Sequence, residues 1–134
     1  MRNMIIILSV IFALTACQPS EDEKAQTLMA KIETLYQKGH YKEALDSISV
    51  LREKHPKAIE SRKRALKLWQ MASLKMVQED IGKTDSALQA QTRLFDKATS
   101  LREKNFLGIK KDSLQIRYDA LCGTVRIIHK RQQE

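Results

Sequence analysis

The chain has 134 residues, and 24 Lys and Arg against 16 Asp and Glu give it a formal charge of +8. That length allows one modest domain, and few aromatic residues, four glycines and two prolines favour helix over strand, so an all-α fold is expected. So basic a chain could meet nucleic acid, phospholipid headgroups or acidic polysaccharide, although Lys and Arg also serve simply to solvate helix faces.

The N-terminus opens with Met1-Arg2-Asn3 and an apolar run from Met4 to Ala13, followed by Leu14-Thr15-Ala16-Cys17. The run is about half of the ~20 residues a permanent transmembrane helix needs, so the layout is that of a signal peptide, with a retained anchor as the alternative. Leu14, Thr15, Ala16 and Cys17 resemble the lipobox of bacterial lipoproteins: a branched apolar residue, two small residues and the cysteine. The resemblance implies removal of residues 1–16 and attachment of diacylglycerol to the Cys17 sulfur, with palmitate-type acyl chains holding the protein on an envelope membrane, most simply the outer one. Two or three acyl chains, at ~0.8 kcal/mol per buried methylene, make such anchoring permanent in effect. Removing residues 1–16 takes away one basic residue, Arg2, and the remainder stays strongly basic.

Residues 17–24 read as a lipidated, polar tether in which Pro19 precedes the acids Glu21, Asp22 and Glu23. The acids resemble the export signal of surface lipoproteins in Bacteroidetes. They fit equally well as the first turn of a helix capped by Ser20, where negative charge opposes the positive end of the helix dipole.

Within residues 25–56, Leu28, Ile32, Leu35 and Tyr36 recur at three- and four-residue steps, Gly39-His40 interrupts, and Ala44, Leu45, Ile48 and Leu51 resume the period until His55-Pro56. The pattern predicts a helical hairpin. Leu28, Gly39, Tyr41, Ala44, Leu45, Ile48, Leu51 and Pro56 resemble the packing positions, turn and closing proline of a tetratricopeptide repeat, over about 34 residues. Lys31 and Ile32 depart from that pattern, and no second repeat follows. A single repeat leaves a face uncovered, so residues 57–134 are expected to cover it.

Those residues carry long amphipathic stretches. Ala58 to Ile81 has no internal breaker; Gly82-Lys83-Thr84-Asp85 either ends a helix or lies inside one, which separates a compact helical bundle from a coiled-coil-like arm. Asn105-Phe106-Leu107-Gly108 reads as a break, with Asp112 capping a last helix. Leu114, Tyr118, Leu121, Val125 and Ile128 form a heptad seam on it, for packing against residues 85–102 or for a homodimer through that face. Cys122 lies among these apolar residues, as a small buried hydrophobe would.

No reaction site emerges. His40, His55 and His129 are far apart and none lies a helical turn from another His or a Cys, so no metal set can be drawn. No serine elbow and no glycine-rich phosphate loop appears, and no cofactor is implied. Arg52, Lys54, Lys57, Arg62, Lys63, Arg64 and Lys67 cluster around Pro56, with a second basic group at Arg126, Lys130 and Arg131. These groups lack the interleaved aromatics that stack single-stranded bases, which disfavours nucleic acid and leaves anionic lipid or polysaccharide. The expectation is a non-enzymatic, lipid-anchored helical adaptor of the bacterial envelope that binds a protein partner, or alternatively a structural spacer or self-associating coiled coil.

Overall fold

A computed structural model describes residues 19–133. Leu14, Thr15, Ala16 and Cys17 lie outside the described residues. Four helices follow in order: α1 (Glu21–Gln37), α2 (Tyr41–Lys54), α3 (Ile59–Lys97) and α4 (Leu101–Gln132), with no strand among the described residues. The fold is all-α.

The first helix begins earlier than a tether through Lys24 would allow, because Ser20 closes a capping box. Its Oγ accepts from the Glu23 amide at 3.1 Å, and the Glu23 carboxylate accepts from the Ser20 amide at 2.7 Å. Two otherwise orphaned donors are satisfied, and Glu21, Asp22 and Glu23 sit at the positive end of the dipole. At the other end Gly39 takes φ +79°. The His40 amide reaches back to the Leu35 carbonyl at 2.9 Å and the Gly39 amide to Tyr36 at 3.0 Å, the paired bonds of a Schellman ending. The rings of Tyr36 and Tyr41 meet across this turn with centroids 5.6 Å apart.

Helices α1 and α2 pack against each other and against the N-terminal part of α3. The fully buried large side chains, Met29, Ile32, Ile48 and Leu51, belong to this three-helix end. Ala58 and Ala65 have no exposed surface and join the same cluster, with Leu28, Leu45, Leu68 and Trp69 packed around it. An Arg64–Glu33 ion pair and the hydrogen bonds of Asp22 to the start of α3 join α1 to α3 at the periphery.

The third helix continues without interruption through Gly82 for 39 residues, about 58 Å at 1.5 Å per residue. A short link then returns the chain as α4, antiparallel to α3: Gln91 near the link donates to the Leu107 carbonyl at 3.1 Å, and Gln70 near the far end reaches the Arg131 carbonyl at 3.4 Å. The α3–α4 contact is the most extensive in the fold, yet along its outer half the buried side chains of α3 are Thr84 and Gln91 rather than large apolar groups. The molecule is a three-helix core with a two-helix arm.

The expected break at Asn105–Gly108 is corrected. Ser100, not Asp112, caps the last helix, accepting from the Glu103 amide at 3.2 Å, and Asn105 to Gly108 are helical. Gly108 serves close packing instead of a turn: a Cβ there would lie 3.3 Å from Cε2 of Phe95, whose ring also receives the Lys111 ammonium at 4.5 Å from its centroid. Leu114, Tyr118, Leu121 and Val125 are half-buried and Ile128 is buried, so the predicted seam is the face laid on α3.

Gly82 and Gly39 separate two roles of glycine. Gly82 has open space around it in mid-helix, so Gly82→Ala is expected to stabilise the fold by about 0.5–1 kcal/mol, whereas Gly39→Ala, which must hold a positive φ, lowers stability by about 1–2 kcal/mol. Urea unfolding of both variants measures this; destabilisation by Gly82→Ala would contradict an unbroken α3.

Candidate functional site

The hairpin positions singled out in the sequence are placed as follows. Ala44, Ile48 and Leu51 are fully buried, Leu28, Tyr41 and Leu45 are half-buried, Gly39 makes the turn, and Pro56 is exposed in the link to α3. These residues are packing material and offer no reactive group. His40 is exposed beside Glu43, its Nδ1 3.2 Å from the carboxylate, and His129 is exposed in the last turn of α4. Among the described residues no group of three His, Cys, Asp or Glu side chains is placed to hold a metal ion, and no helix is long and apolar enough to cross a membrane.

Cys122 is half-buried with its thiol free. It stands one turn beyond Tyr118 on the inner face of α4. Charge on Cys122 raises the Tyr118 hydroxyl above the ordinary tyrosine value, with desolvation adding in the same direction.

Three surfaces do stand out, and two of them join residues far apart in sequence. The first lies at the start of α3, where Arg52, Arg62 and Lys63 surround the exposed side chains of Ile59 and Leu66 in an open depression of about 360 Å³. Arg62 also donates from Nη1 to the Pro56 carbonyl at 2.6 Å, which fixes one edge. Around the helix, Lys63, Arg64 and Lys67 meet Arg131 from the end of α4. Arg131 of the second basic cluster thus joins the first, because the antiparallel return of α4 brings its C-terminus back to the start of α3.

The second surface is an apolar cleft of about 280 Å³ between α3 and α4, lined by Trp69, Val77, Ile127 and Ile128, with Ser73 and Thr124 in the wall and Gln70 and Arg131 at the rim. Its lining is mostly apolar because Trp69 and Val77 of α3 face Ile127 and Ile128 of α4 across it. No single stretch of sequence signals it, since half comes from each helix. The third is the outward face of α4, where Phe106, Ile109 and Ile116 are exposed.

Asp22 ties the N-terminus of α1 to the first of these surfaces. Its carboxylate accepts from the Ser61 amide at 2.7 Å and the Glu60 amide at 3.4 Å, completing the N-terminal turn of α3 from another helix. Hydrogen bonding from Ser61 holds this carboxyl below the ordinary Asp value. The long-range role of Asp22 has no local signature in the sequence, where it fits either an export signal or the first turn of its own helix.

No protein-family model, curated protein or solved structure matches the chain.

The Asp22 tie generates a pH-dependent expectation. A carboxyl depressed in the folded state contributes stability that is present above its unfolded-state value and lost as pH falls through the folded one. Asp22→Asn should therefore melt at a lower temperature than the native chain at about pH 7, and the gap should narrow as pH falls below the ordinary Asp value of about 3.9 and the native carboxylate is protonated. Thermal melts across that range measure it; a gap that persists unchanged at the acid end would contradict the ionised tie.

Proposed function

We propose that the chain is a non-enzymatic, lipid-anchored adaptor of the bacterial envelope that receives an apolar segment of a protein partner between α3 and α4. The observation that carries the reading is the cleft lined by Trp69, Val77, Ile127 and Ile128, which is open, apolar and rimmed by the polar groups of Gln70 and Arg131. Its volume suits one or two large side chains, and burial of a Leu- or Phe-sized group there contributes about 1.5–3 kcal/mol. An aromatic anchor residue such as Trp69 is typical of surfaces that concentrate binding energy.

The lipobox-like Leu14-Thr15-Ala16-Cys17 supports the anchoring half of the reading. Cys17 precedes α1 by four residues, about 14 Å when extended, and Asp22 binds that end of α1 to the start of α3. A lipid on Cys17 would therefore hold the basic surface of Arg52, Arg62, Lys63 and Lys67 close to the bilayer, with Ile59 and Leu66 exposed among the charges. Lys and Arg near an anionic membrane contribute about 1 kcal/mol each, so headgroup contact would set the orientation of the arm. An acidic polysaccharide would offer the same charges. The resemblance of residues 25–58 to a tetratricopeptide repeat agrees with a binding role, since such modules take up peptide segments.

Filling the cleft tests the adaptor. Ser73 faces it from α3, and Ser73→Arg places a long charged side chain where the partner's apolar group would enter. In-cell crosslinking with mass spectrometry is expected to give one recurrent partner with the native chain and at least a tenfold loss of it with Ser73→Arg, at unchanged helix content. Equal recovery from both would overturn this site. Lys63→Glu with Lys67→Glu should separately weaken binding to acidic vesicles and leave neutral vesicles unaffected; equal loss on both would remove the electrostatic contact.

A further inference from the structure

The fourth helix is apolar on two opposite sides, and α3 covers one of them. Against α3 lie Leu107, Leu114, Tyr118, Leu121, Val125 and Ile128, half-buried or buried. Phe106, Ile109, Ser113, Ile116, Ala120 and Gly123 follow one another at steps of three, four, three, four and three on the far side. This is a second heptad seam, with Phe106, Ser113 and Ala120 at its a positions and Ile109, Ile116 and Gly123 at its d positions. Phe106 is 71%, Ile109 74% and Ile116 70% exposed, and no described helix packs on them. Scattered apolar residues on a surface need no explanation, but three in heptad register on one long helix form a stripe.

The residues flanking the seam select the occupant. The g positions hold Asn105, Asp112 and Asp119, and the e positions hold Lys110, Arg117 and Thr124. In a parallel, in-register pair each g side chain faces the e side chain five residues on in its neighbour. Asp112 then meets Arg117 twice, once on each side of the two-fold axis, Asn105 meets Lys110 and Asp119 meets Thr124, with no like-charge contact. In an antiparallel pair e faces e and g faces g, which in the central register sets Lys110 against Arg117 and Asp112 against Asp119. The seam is bounded as well: Arg102 occupies the d position before Phe106, and past Gly123 the g and e positions become Arg126 and Arg131, which repel across a parallel interface. Ile127 is thereby left to the apolar cleft. Ser113, Ala120 and Gly123 are small enough for close approach, and open space surrounds Gly123.

We infer that the outer face of α4 between Phe106 and Gly123 is the contact surface for a second copy of this chain, joined as a parallel, in-register coiled coil. The two arms together form a four-helix assembly with α4 helices inside and α3 helices outside, and two clefts remain open. A two-helix arm has one buried face per helix; pairing gives α4 the second. Parallel pairing also suits two chains held by their N-termini on one membrane, a point that rests on the anchored reading, whereas the charge pattern does not. Confinement to a bilayer raises the effective concentration and favours a contact only two and a half heptads long.

The full chain, purified in detergent, is the object of the test, with mass read by sedimentation after correction for bound detergent. The native chain is expected to reach twice the monomer mass, and Ile109→Lys with Ile116→Lys to return it to monomer at unchanged helix content. Asp112→Arg alone and Arg117→Asp alone should each weaken dimerisation by about tenfold, since two attractive pairs become repulsive. The combined exchange should restore it, because Asp112 and Arg117 face each other only across the parallel interface. A monomeric native chain, a dimer indifferent to the lysines, or a double exchange no better than the singles would each overturn the proposal, the last by placing the contact antiparallel or elsewhere. Metabolic labelling of Cys17 reports separately on the anchor, so that loss of label with a persistent dimer would fault the anchored reading alone.

Discussion

The close approach of α1 and α2 to the first turns of α3 is the interaction on which the other features depend. Ala58 and Ala65, one heptad apart with no exposed surface, let the hairpin reach the α3 backbone, and Met29, Ile32, Ile48 and Leu51 fill the space between. Those four are the largest fully buried side chains among the described residues, so the tightest apolar packing is concentrated at one end. Removing one of them, as a core truncation would, costs about 2–5 kcal/mol. From this fixed end α3 projects as a beam, and α4 can return along it only because the beam is held.

The outer part of the molecule has a different physical basis. There Thr84 and Gln91 occupy the α3–α4 interface, and the Gln91 side chain spends its donor on the Leu107 carbonyl. A contact of small and polar groups brings two helices together without using up their apolar residues. Phe106, Ile109 and Ile116 remain outside. A helix apolar on two sides is stable when both sides are covered, and the proposed pairing of arms answers that requirement, just as the proposed docking of a partner's apolar segment would fill the cleft beside Trp69.

Much of the helical content was legible because the period of three to four carries it directly. Leu28, Ala44, Ile48 and Leu51 fall on inward faces as their spacing predicts, and Gly39 ends α1 because only a glycine takes positive φ without cost. The glycines of the long helices were ambiguous for the same reason that Gly39 was clear: composition records the absence of a Cβ, not why it is absent. Gly82 stands exposed inside α3, and Gly108 makes room for Phe95, a residue thirteen positions earlier on another helix. The seam of Leu114, Tyr118 and Leu121 was visible, but which partner would cover it depended on the continuity of α3. The cleft and the Asp22 tie were not legible, since each joins residues from separate helices that no local pattern connects.

The proposed function joins two kinds of observation, a short N-terminal pattern that gives the address and a helical scaffold whose surfaces give the work. Asp22 connects them, because it holds the end nearest Cys17 against the basic start of α3. The most direct test is the mass of the N-terminal peptide of the protein recovered from membranes of cells that express it. The anchored reading predicts a peptide that begins at Cys17 and carries diacylglycerol on sulfur, absent from Cys17→Ala. An intact peptide from Met1 with an unmodified Cys17 would contradict it.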